Sequence, residues 1–146
     1  MTVDWSPLTT STHQDHVVAH VIGATVLGYF KTEQAIHLLL DMGFIWMIYV
    51  DCEMGLLPQS VAISELEVDE DVRSRLGREA QRLHDDGRAA EGLLEFSAAP
   101  ADCLITEVSL EARGDERRIL IRGEESTLAI ETSLVTGEAR LQAHPV

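Results

Sequence analysis

The chain has 146 residues, of which 45% are hydrophobic and 25% are charged, and its formal net charge is −14. These proportions are ordinary for a globular protein, and the length predicts a single domain over residues 1–146. The acidic balance argues against a basic surface that would bind nucleic acid or an anionic membrane, and it favours a basic protein partner or no specific partner.

The negative charge is unevenly distributed along the chain. Residues 1–72 contain eleven acidic side chains and one basic side chain, whereas residues 73–146 contain fourteen acidic side chains and ten arginines. The acidic first half could therefore be a docking surface. The start of the chain lacks the basic and apolar regions of a signal peptide, and the longest apolar stretch, 35–50, is too short to cross a membrane. We therefore predict a cytoplasmic protein.

Residues 1–15 are rich in Ser and Thr, and we predict that they form an arm or a loop, with Trp5 anchoring it on the body of the protein. Residues 17–30 are rich in Val, Ile, Thr and aromatic residues, and this composition favours a strand that is buried on both faces. Gly23 and Gly28, within this run, could mark a bulge or a bend.

Three histidines, His13, His16 and His20, lie around the start of this run. On a helix they would share one face, where they could bind Zn or another divalent metal with Glu33 or His37 as a further ligand. On a strand, which rises about 3.3 Å per residue, His16 and His20 would lie about 13 Å apart and could not share an ion. Because the composition favours a strand, we predict that these histidines bind no metal.

Residues 32–43 allow two interpretations. Thr32 as N-cap and Gly43 just past the end would fit a helix, whereas alternating apolar residues fit a strand. We favour the strand, because strong strand candidates flank the segment. Residues 44–50 form the clearest strand of the first half and are apolar on both faces. Since one helix would not cover both faces, the sequence predicts a homodimer.

Three carboxylates, Asp41, Asp51 and Glu53, flank this strand. If they converged at one end of it, they could perform acid–base chemistry or bind a cation. Turn-forming aspartates at strand ends are commoner, and we interpret these residues as turn residues. The sequence contains no phosphate-binding loop and no nucleophile elbow, so it predicts neither a catalytic residue nor a cofactor.

An extended segment is predicted over 56–66, and one main helix follows it. Asp69 is the predicted N-cap of a helix over about 70–85, which could continue to 96. The apolar residues of this helix recur at three- and four-residue spacing, and they are Val72, Leu76, Ala80, Leu83, Gly87, Ala90 and Leu94. Such a narrow, Ala-rich stripe is typical of a helix that packs closely on a sheet.

The last third of the chain predicts a four-stranded antiparallel meander. Residues 104–112 alternate with a period of two, which places Leu104 on the apolar face and Ile105 on the polar face. Gly114 and Asp115 are the expected central residues of a type II′ turn. The resulting pairs are Glu111 with Arg118, Glu107 with Arg122, Leu110 with Ile119, and Val108 with Ile121.

Two further links complete the meander. Residues 123–126 are predicted to form a four-residue loop, and residues 136–137 give a weaker turn signal. The resulting pairs are Ile121 with Leu128, Ile119 with Ile130, Arg118 with Glu131, Leu134 with Ala139, and Thr132 with Leu141. One face is apolar and the other is charged, and we interpret the charged face as a solvated surface.

These elements predict an α+β fold, in which one main helix packs on an antiparallel sheet that includes the meander. The strands on either side of the helix would merge into one sheet or form two layers. The function most consistent with this sequence is a non-catalytic protein-interaction module that self-associates. The alternatives are a small metal-binding protein or metal-dependent enzyme that uses the early histidines, and a small-ligand pocket between helix and sheet.

Overall fold

The computed structural model describes residues 4–9, 12–32, 35–51 and 55–145. Over these residues the chain forms two α-helices and ten strands, which are arranged in two antiparallel five-stranded sheets. This confirms the predicted α+β fold class, and of the two predicted arrangements it shows two separate layers of sheet. None of the described helices is both long and apolar enough to span a membrane.

The elements in chain order are β1 (Ser6–Pro7), α1 (Thr12–Val21), β2 (Val26–Thr32), β3 (Ala35–Leu40), β4 (Ile45–Asp51), β5 (Gly55–Val61), α2 (Glu70–Asp86), β6 (Ser97–Ala98), β7 (Ile105–Arg113), β8 (Glu116–Gly123), β9 (Ser126–Ser133) and β10 (Ala139–Pro145). Short 3₁₀ turns precede and follow α2. The first sheet has the strand order β5-β4-β3-β2-β6, and the second sheet has the order β1-β7-β8-β9-β10.

The two sheets pack face to face, and α2 covers part of the outer face of the first sheet. The core between the sheets contains Ile36, Leu38, Trp46 and Ile48 from the first sheet, and Ile119, Ile121, Leu128 and Ile130 from the second. On the other face of the first sheet, Leu39 and Ile45 pack with Leu76, Ala80 and Leu83 of α2. Because β3 is buried on both faces, its sequence is apolar at every position except His37.

The central strands and the main helix confirm the sequence predictions. The strand interpretation of residues 32–43 corresponds to β3, and the predicted strand over 44–50 corresponds to β4. The predicted helix over 70–85 corresponds to α2. Its continuation to 96 is wrong, because the helix ends at Asp86. Gly87 follows, and its φ of 59° lies in the left-handed region that glycine adopts most readily.

The N-terminal part of the chain differs from the prediction. Residues 12–15 of the predicted arm and the first part of the predicted strand over 17–30 are helical instead, because α1 occupies Thr12–Val21. Residues 1–3, 10 and 11 of the predicted arm lie outside the described residues. The chain turns at Gly23, which has a φ of 89°, and β2 begins at Val26. Of the predicted strand, β2 therefore includes only residues 26–30.

A sequence signal for α1 exists but is weak. Ser11 and Gln14 have the spacing of a capping box, in which a Ser or Thr is followed three residues later by Glu or Gln. Val17, Val18 and Val21 follow at helical spacing and pack against the core between the sheets. Tertiary packing of this stripe outweighs the lower helix propensity of β-branched residues, which costs less than about 1 kcal/mol per residue.

The segment after α2 is held in place by a buried carboxylate. Glu79 is 6% exposed, and its Oε1 accepts the backbone N–H groups of Leu94, Glu95 and Phe96 at 3.1, 2.9 and 2.9 Å. The position of Glu79 immediately before Ala80, within the apolar stripe of the helix, is the sequence signal for its burial. Three backbone donors that would otherwise lack a partner are satisfied by one side chain.

The meander confirms the predicted register of its first two hairpins. All seven predicted pairs across β7-β8 and β8-β9 are present. Gly114 has a φ of 57° and Asp115 does not have a positive φ, as a type II′ turn requires. The opposite-charge pairs and the apolar pairs agree with a single register, and this agreement made the register predictable.

Two details of the meander were predicted wrongly. The register of β7 shifts at Thr106, so Ile105 is buried with 1% exposure and Leu104 is 37% exposed, which is the reverse of the predicted faces. Such a shift places two residues of one strand opposite one residue of its partner. The last hairpin pairs Ala139 with Thr132, because its loop is longer than the two-residue turn signal suggested.

The predicted anchoring of the chain start by Trp5 is confirmed. The Trp5 ring lies over the guanidinium groups of Arg113 and Arg118, which are 4.4 and 4.2 Å from its centroid. Beneath it, Arg118 forms ion pairs with Glu111 at 2.7 Å and with Glu131 at 3.9 Å. The charged face of the second sheet is therefore partly covered, and the interpretation of this face as fully solvated needs that correction.

We expect this partial cover to strengthen the coupling between Glu111 and Arg118. Their side chains are 17% and 20% exposed, whereas those of the pair Glu107 and Arg122 are 62% and 45% exposed. An alanine double-mutant cycle on the covered pair should give a coupling of about 1 kcal/mol in the free energy of unfolding, and the exposed pair should give clearly less. Equal coupling in the two cycles, measured by urea denaturation, would contradict this expectation.

Candidate ligand-binding cavity

The candidate site lies on the outer face of the first sheet, where the cover given by α2 ends. Leu83 of α2 packs directly on Gly28, since a Cβ added at Gly28 would lie 2.7 Å from a Leu83 methyl carbon. The next row of the sheet consists of Phe30, His37 and Met47, which pair across β2, β3 and β4. Phe30 and Met47 in this row are only half-buried.

A cavity of about 470 Å³ opens over this row. Its size falls within the range of about 300–1,000 Å³ that is usual for small-molecule sites. Its apolar wall consists of Phe30, Ala35, Met47, Val61, Leu66 and Val68. Thr32, His37, Glu65 and Glu67 contribute its polar groups. An apolar cavity with a few polar groups is typical of binding sites.

His37 is the polar group at the base of the cavity. Its side chain is 4% exposed, and its ring stacks on Phe30 with 4.3 Å between the ring centroids. Its Nε2 lies 3.2 Å from Oγ1 of Thr32, whereas Nδ1 has no hydrogen-bond partner in the described part of the chain. Phe96 in turn packs edge-on against Phe30 at 5.2 Å. The imidazole is therefore fixed on one side and unpaired on the other.

The unpaired nitrogen of His37 is itself buried and is not exposed to solvent. Leaving a buried polar group without a partner costs about 1–3 kcal/mol, and such groups are uncommon in folded proteins. Burial lowers the pKa of His37 to about 4, so its imidazole is neutral at pH 7 and has one donor nitrogen and one acceptor nitrogen.

The rim of the cavity is acidic. Glu65 and Glu67 line it with exposed side chains, and the chain continues directly into Asp69, Glu70 and Asp71, which are also exposed. We call these five residues the acidic rim. The carboxylate of Glu65 also accepts the backbone N–H of Ala62, which helps to fix the rim in place.

Arg73 is a cation close to the rim, but its charge is directed to the backbone. Its guanidinium donates to the carbonyl oxygens of Leu66 and Val68 at 2.6 and 3.5 Å, and it thereby holds the cavity wall. Lys31 belongs to β2, next to Phe30, and by strand alternation it faces the other side of the sheet. The field at the mouth of the cavity is therefore set mainly by carboxylates.

The neutral state of His37 predicts a pH dependence of stability. Its pKa is lowered by burial from the ordinary 6.5 to about 4, so the unfolded chain binds more protons than the folded protein between these two values. The free energy of unfolding should therefore fall as the pH is lowered through this window. Urea denaturation should show a smaller fall for His37→Gln, and parallel curves for the two proteins would contradict the expectation.

The composition predicted a strand at the early histidines, but the structure shows a helix. Residues 12–21 are helical, so His16 and His20 are four residues apart on a helix and share one exposed face. The argument that an extended backbone keeps them apart is therefore wrong. No group of three or more His, Cys, Asp or Glu residues that could hold a metal ion occurs among the described residues, and the His13 side chain is outside that set.

The candidate carboxylates Asp41 and Asp51 do not lie at the same end of the strand. Asp41 follows β3 and its Oδ1 accepts the backbone N–H of Thr25 at 2.9 Å, as expected of a turn residue. Asp51 ends β4, at the opposite end of the β3-β4 hairpin from Asp41. These two carboxylates cannot converge, and Glu53 lies outside the described residues.

Sequence reasoning gave only a general expectation of the cavity, as a small-ligand pocket between helix and sheet. The sequence suggests His37 as a further metal ligand, although a single polar residue within the apolar run of β3 is a signal for a buried polar site. The acidic rim contributes to the negative charge of the first half, but composition alone does not locate it. No family model matches this sequence, and comparisons with curated proteins and with solved structures found no match.

Proposed function

We propose that the protein is a non-catalytic interaction module that binds a basic protein partner at the cavity and its acidic rim. The observation that supports this function is the combination of an apolar cavity with the exposed carboxylates of Glu65 and Glu67 in its lining, which Asp69, Glu70 and Asp71 follow directly in the chain. Protein interfaces typically combine an apolar centre with a polar rim, and charges at the rim select and steer the partner.

Charge also favours a basic partner over a second copy of the chain at this site. In a symmetric dimer the same surface faces itself, so the two acidic rims would lie opposite each other. Like charges at such a contact repel each other, whereas Lys and Arg residues of a partner would be attracted. Because each copy of the chain has a net charge of −14, two copies also repel each other as whole molecules.

The proposal is tested by neutralising the rim. The wild-type protein should capture a partner from the native cell extract, and the triple variant Glu67→Gln, Glu70→Gln, Asp71→Asn should no longer capture it. The matched variant Glu124→Gln, Glu125→Gln, Glu138→Gln removes the same number of exposed carboxylates outside the cavity and should retain it. The captured protein, once purified, should bind the wild type with an affinity that falls as salt increases. Equal binding to both variants would refute the proposal.

Self-association, which the sequence predicts, stays a prediction. The second sheet covers one face of β4, which leaves half-buried Met47 and Tyr49 on the other face as a contact for a second copy. If dimers form there, repulsion between the rims should make the dimer fraction rise with salt. Sedimentation at tens of micromolar protein, in about 0.05 M and about 0.5 M salt, measures this. A monomer under both conditions would contradict it.

The metal-binding alternative gains one observation, the helical placement of His16 and His20. Two His residues four apart on a helix occur in zinc sites, which also need further ligands. Elemental analysis of the purified protein, with His16→Ala as the comparison, separates this alternative from the interaction module. About one zinc per chain that is lost in the variant would establish a metal site.

A further inference from the structure

We propose that the free edge of β10 binds an extended acidic segment of a partner protein, which adds to the second sheet as an antiparallel strand with a carboxylate beside Arg140. Segments that add to a sheet edge gain main-chain hydrogen bonds, and their alternate side chains give specificity. The cavity lies on the first sheet, so this surface goes beyond the proposed function and does not depend on it.

The edge of β10 is the longest one that the described residues leave open. At the opposite edge of the second sheet, β1 pairs with β7, and the backbone N–H of Leu8 donates to the carbonyl of Leu110. In the first sheet, the edge strand β6 has two residues, and the edge strand β5 contains Pro58, which has no N–H. By contrast, β10 spans Ala139–Pro145 and pairs with β9 alone among the described strands. Alternate residues of such a strand direct their N–H and C=O groups outward, where a further strand can pair.

A row of alternating charges crosses the outer face of the second sheet and ends at this edge. Its members lie directly opposite one another on β7, β8, β9 and β10, and they are Glu111, Arg118, Glu131 and Arg140. Arg118 has a carboxylate on each side, at 2.7 and 3.9 Å. Arg140 is exposed and forms no ion pair with any other residue that the structure describes. A carboxylate on a strand added beyond β10 would continue the alternation and pair with it.

The sequence of β10 repeats the pattern by which β8 pairs with β7. In β8, residues 118–122 read RILIR, and residues 107–111 of β7 lie opposite them and read EVSLE. In β10, residues 140–144 read RLQAH and lie in the same rows of the sheet as 118–122. Leu141 and Ala143 are half-buried and pack against the core, so an added strand would cover them with its own apolar residues. The expected partner strand therefore resembles EVSLE, with carboxylates and apolar side chains on opposite faces.

Charge and coverage favour a partner protein over a second copy of the chain at this edge. No side chain in residues 139–146 is acidic, so β10 of a second copy cannot supply the carboxylate. In β7 of a second copy the acidic pattern is present, but Pro7 of β1 already lies opposite Glu111 on its outer edge. The net charge of −14 repels an acidic segment at long range, and about 0.15 M salt screens such charges beyond about 8 Å.

The test uses a peptide with blocked ends and the sequence TEVSLEA, which is that of residues 106–112. It is titrated into isotope-labelled full-length protein at about 0.15 M salt. Backbone amide NMR signals of residues 139–144 should shift. A second peptide has glutamine in place of the second glutamate, the residue expected beside Arg140. The glutamate peptide should half-saturate the protein at a concentration about three- to fivefold lower than the glutamine peptide. Equal concentrations, or no shifts in β10, would overturn the inference.

Two variants test the role assigned to Arg140. Arg140→Gln should remove the difference between the two peptides, whereas Arg78→Gln, which changes an exposed arginine on α2, should retain it. Both side chains are exposed, so both variants should fold. A preference for the glutamate peptide that persists in Arg140→Gln would show that another group selects the carboxylate and would overturn the assignment.

Two N-methylated forms of the glutamate peptide test whether it binds as a strand. Each is methylated on the backbone nitrogens of alternate residues, one set in each form, so each lacks the N–H donors of one edge. One form should lose binding and the other should keep it, because only one edge faces β10. Equal binding of both forms would show attraction between charges without strand addition. Shifts of the β10 amides on concentrating the protein without peptide would identify a second copy as the occupant. Either result would overturn the inference.

Discussion

Glu79→Ala should lower the free energy of unfolding by about 3–5 kcal/mol. The substitution leaves the backbone N–H groups of Leu94, Glu95 and Phe96 without their acceptor and creates a gap under the segment that follows α2. Each hydrogen bond to a charged group is worth about 1.5–3 kcal/mol, and breaking a buried charged network is among the costliest single changes. Urea denaturation of the variant measures the loss.

The control for this prediction is Glu91→Ala, which removes an exposed carboxylate from the same connecting segment and should change stability by less than about 0.5 kcal/mol. The loss at Glu79 should also reach the cavity, because Phe96 packs on Phe30, which stacks on His37. Similar stabilities of the two variants would show that Glu79 does not anchor this segment.

Gly28→Ala should also destabilise the protein, by about 1–3 kcal/mol. The new Cβ would lie 2.7 Å from a Leu83 methyl carbon and 2.7 Å from the carbonyl oxygen of Ser97. The methyl group of Leu83 can move, but the carbonyl belongs to the backbone of β6 and cannot yield without disturbing its pairing with β2. The close approach of α2 to the first sheet depends on this glycine.

Gly77→Ala is the matched control, since the same substitution is made on the exposed side of α2. A Cβ at Gly77 would contact nothing within 4 Å. Alanine in a helix interior is favoured over glycine by about 1 kcal/mol, so this variant should be more stable than the wild type. Opposite signs for the two Gly→Ala changes are expected in thermal or urea denaturation, and the same sign for both would contradict the packing described here.

The sequence predicted the second sheet better than the first. In the first two hairpins of the meander, pairs such as Glu111 with Arg118 and Leu110 with Ile119 all fit one register, and a slip of one residue would have reversed the faces. The shift at Thr106 was not predictable, because alternation alone continues through it. It depends on Ile105 entering the core between the sheets.

The start of the chain shows why composition alone was misleading. Val17, Val18 and Val21 are β-branched and favour strands locally, yet they form one stripe of a helix that packs on the core. The cavity could not be located from the sequence for a related reason. It exists because α2 covers the sheet at Gly28 and leaves Phe30 and Met47 partly exposed, and this depends on how the layers stack.

The most direct test of the binding site is a map of where a basic peptide binds. Titration of isotope-labelled protein with pentalysine should shift the NMR signals of Phe30, His37, Met47 and residues 65–71, and the shifts should weaken as salt increases. The exposed carboxylates Glu124 and Glu125 serve as the internal comparison. Shifts confined to the cavity and its acidic rim are the predicted result, whereas shifts of similar size at Glu124 and Glu125 would show binding to negative charge in general and would contradict a specific site.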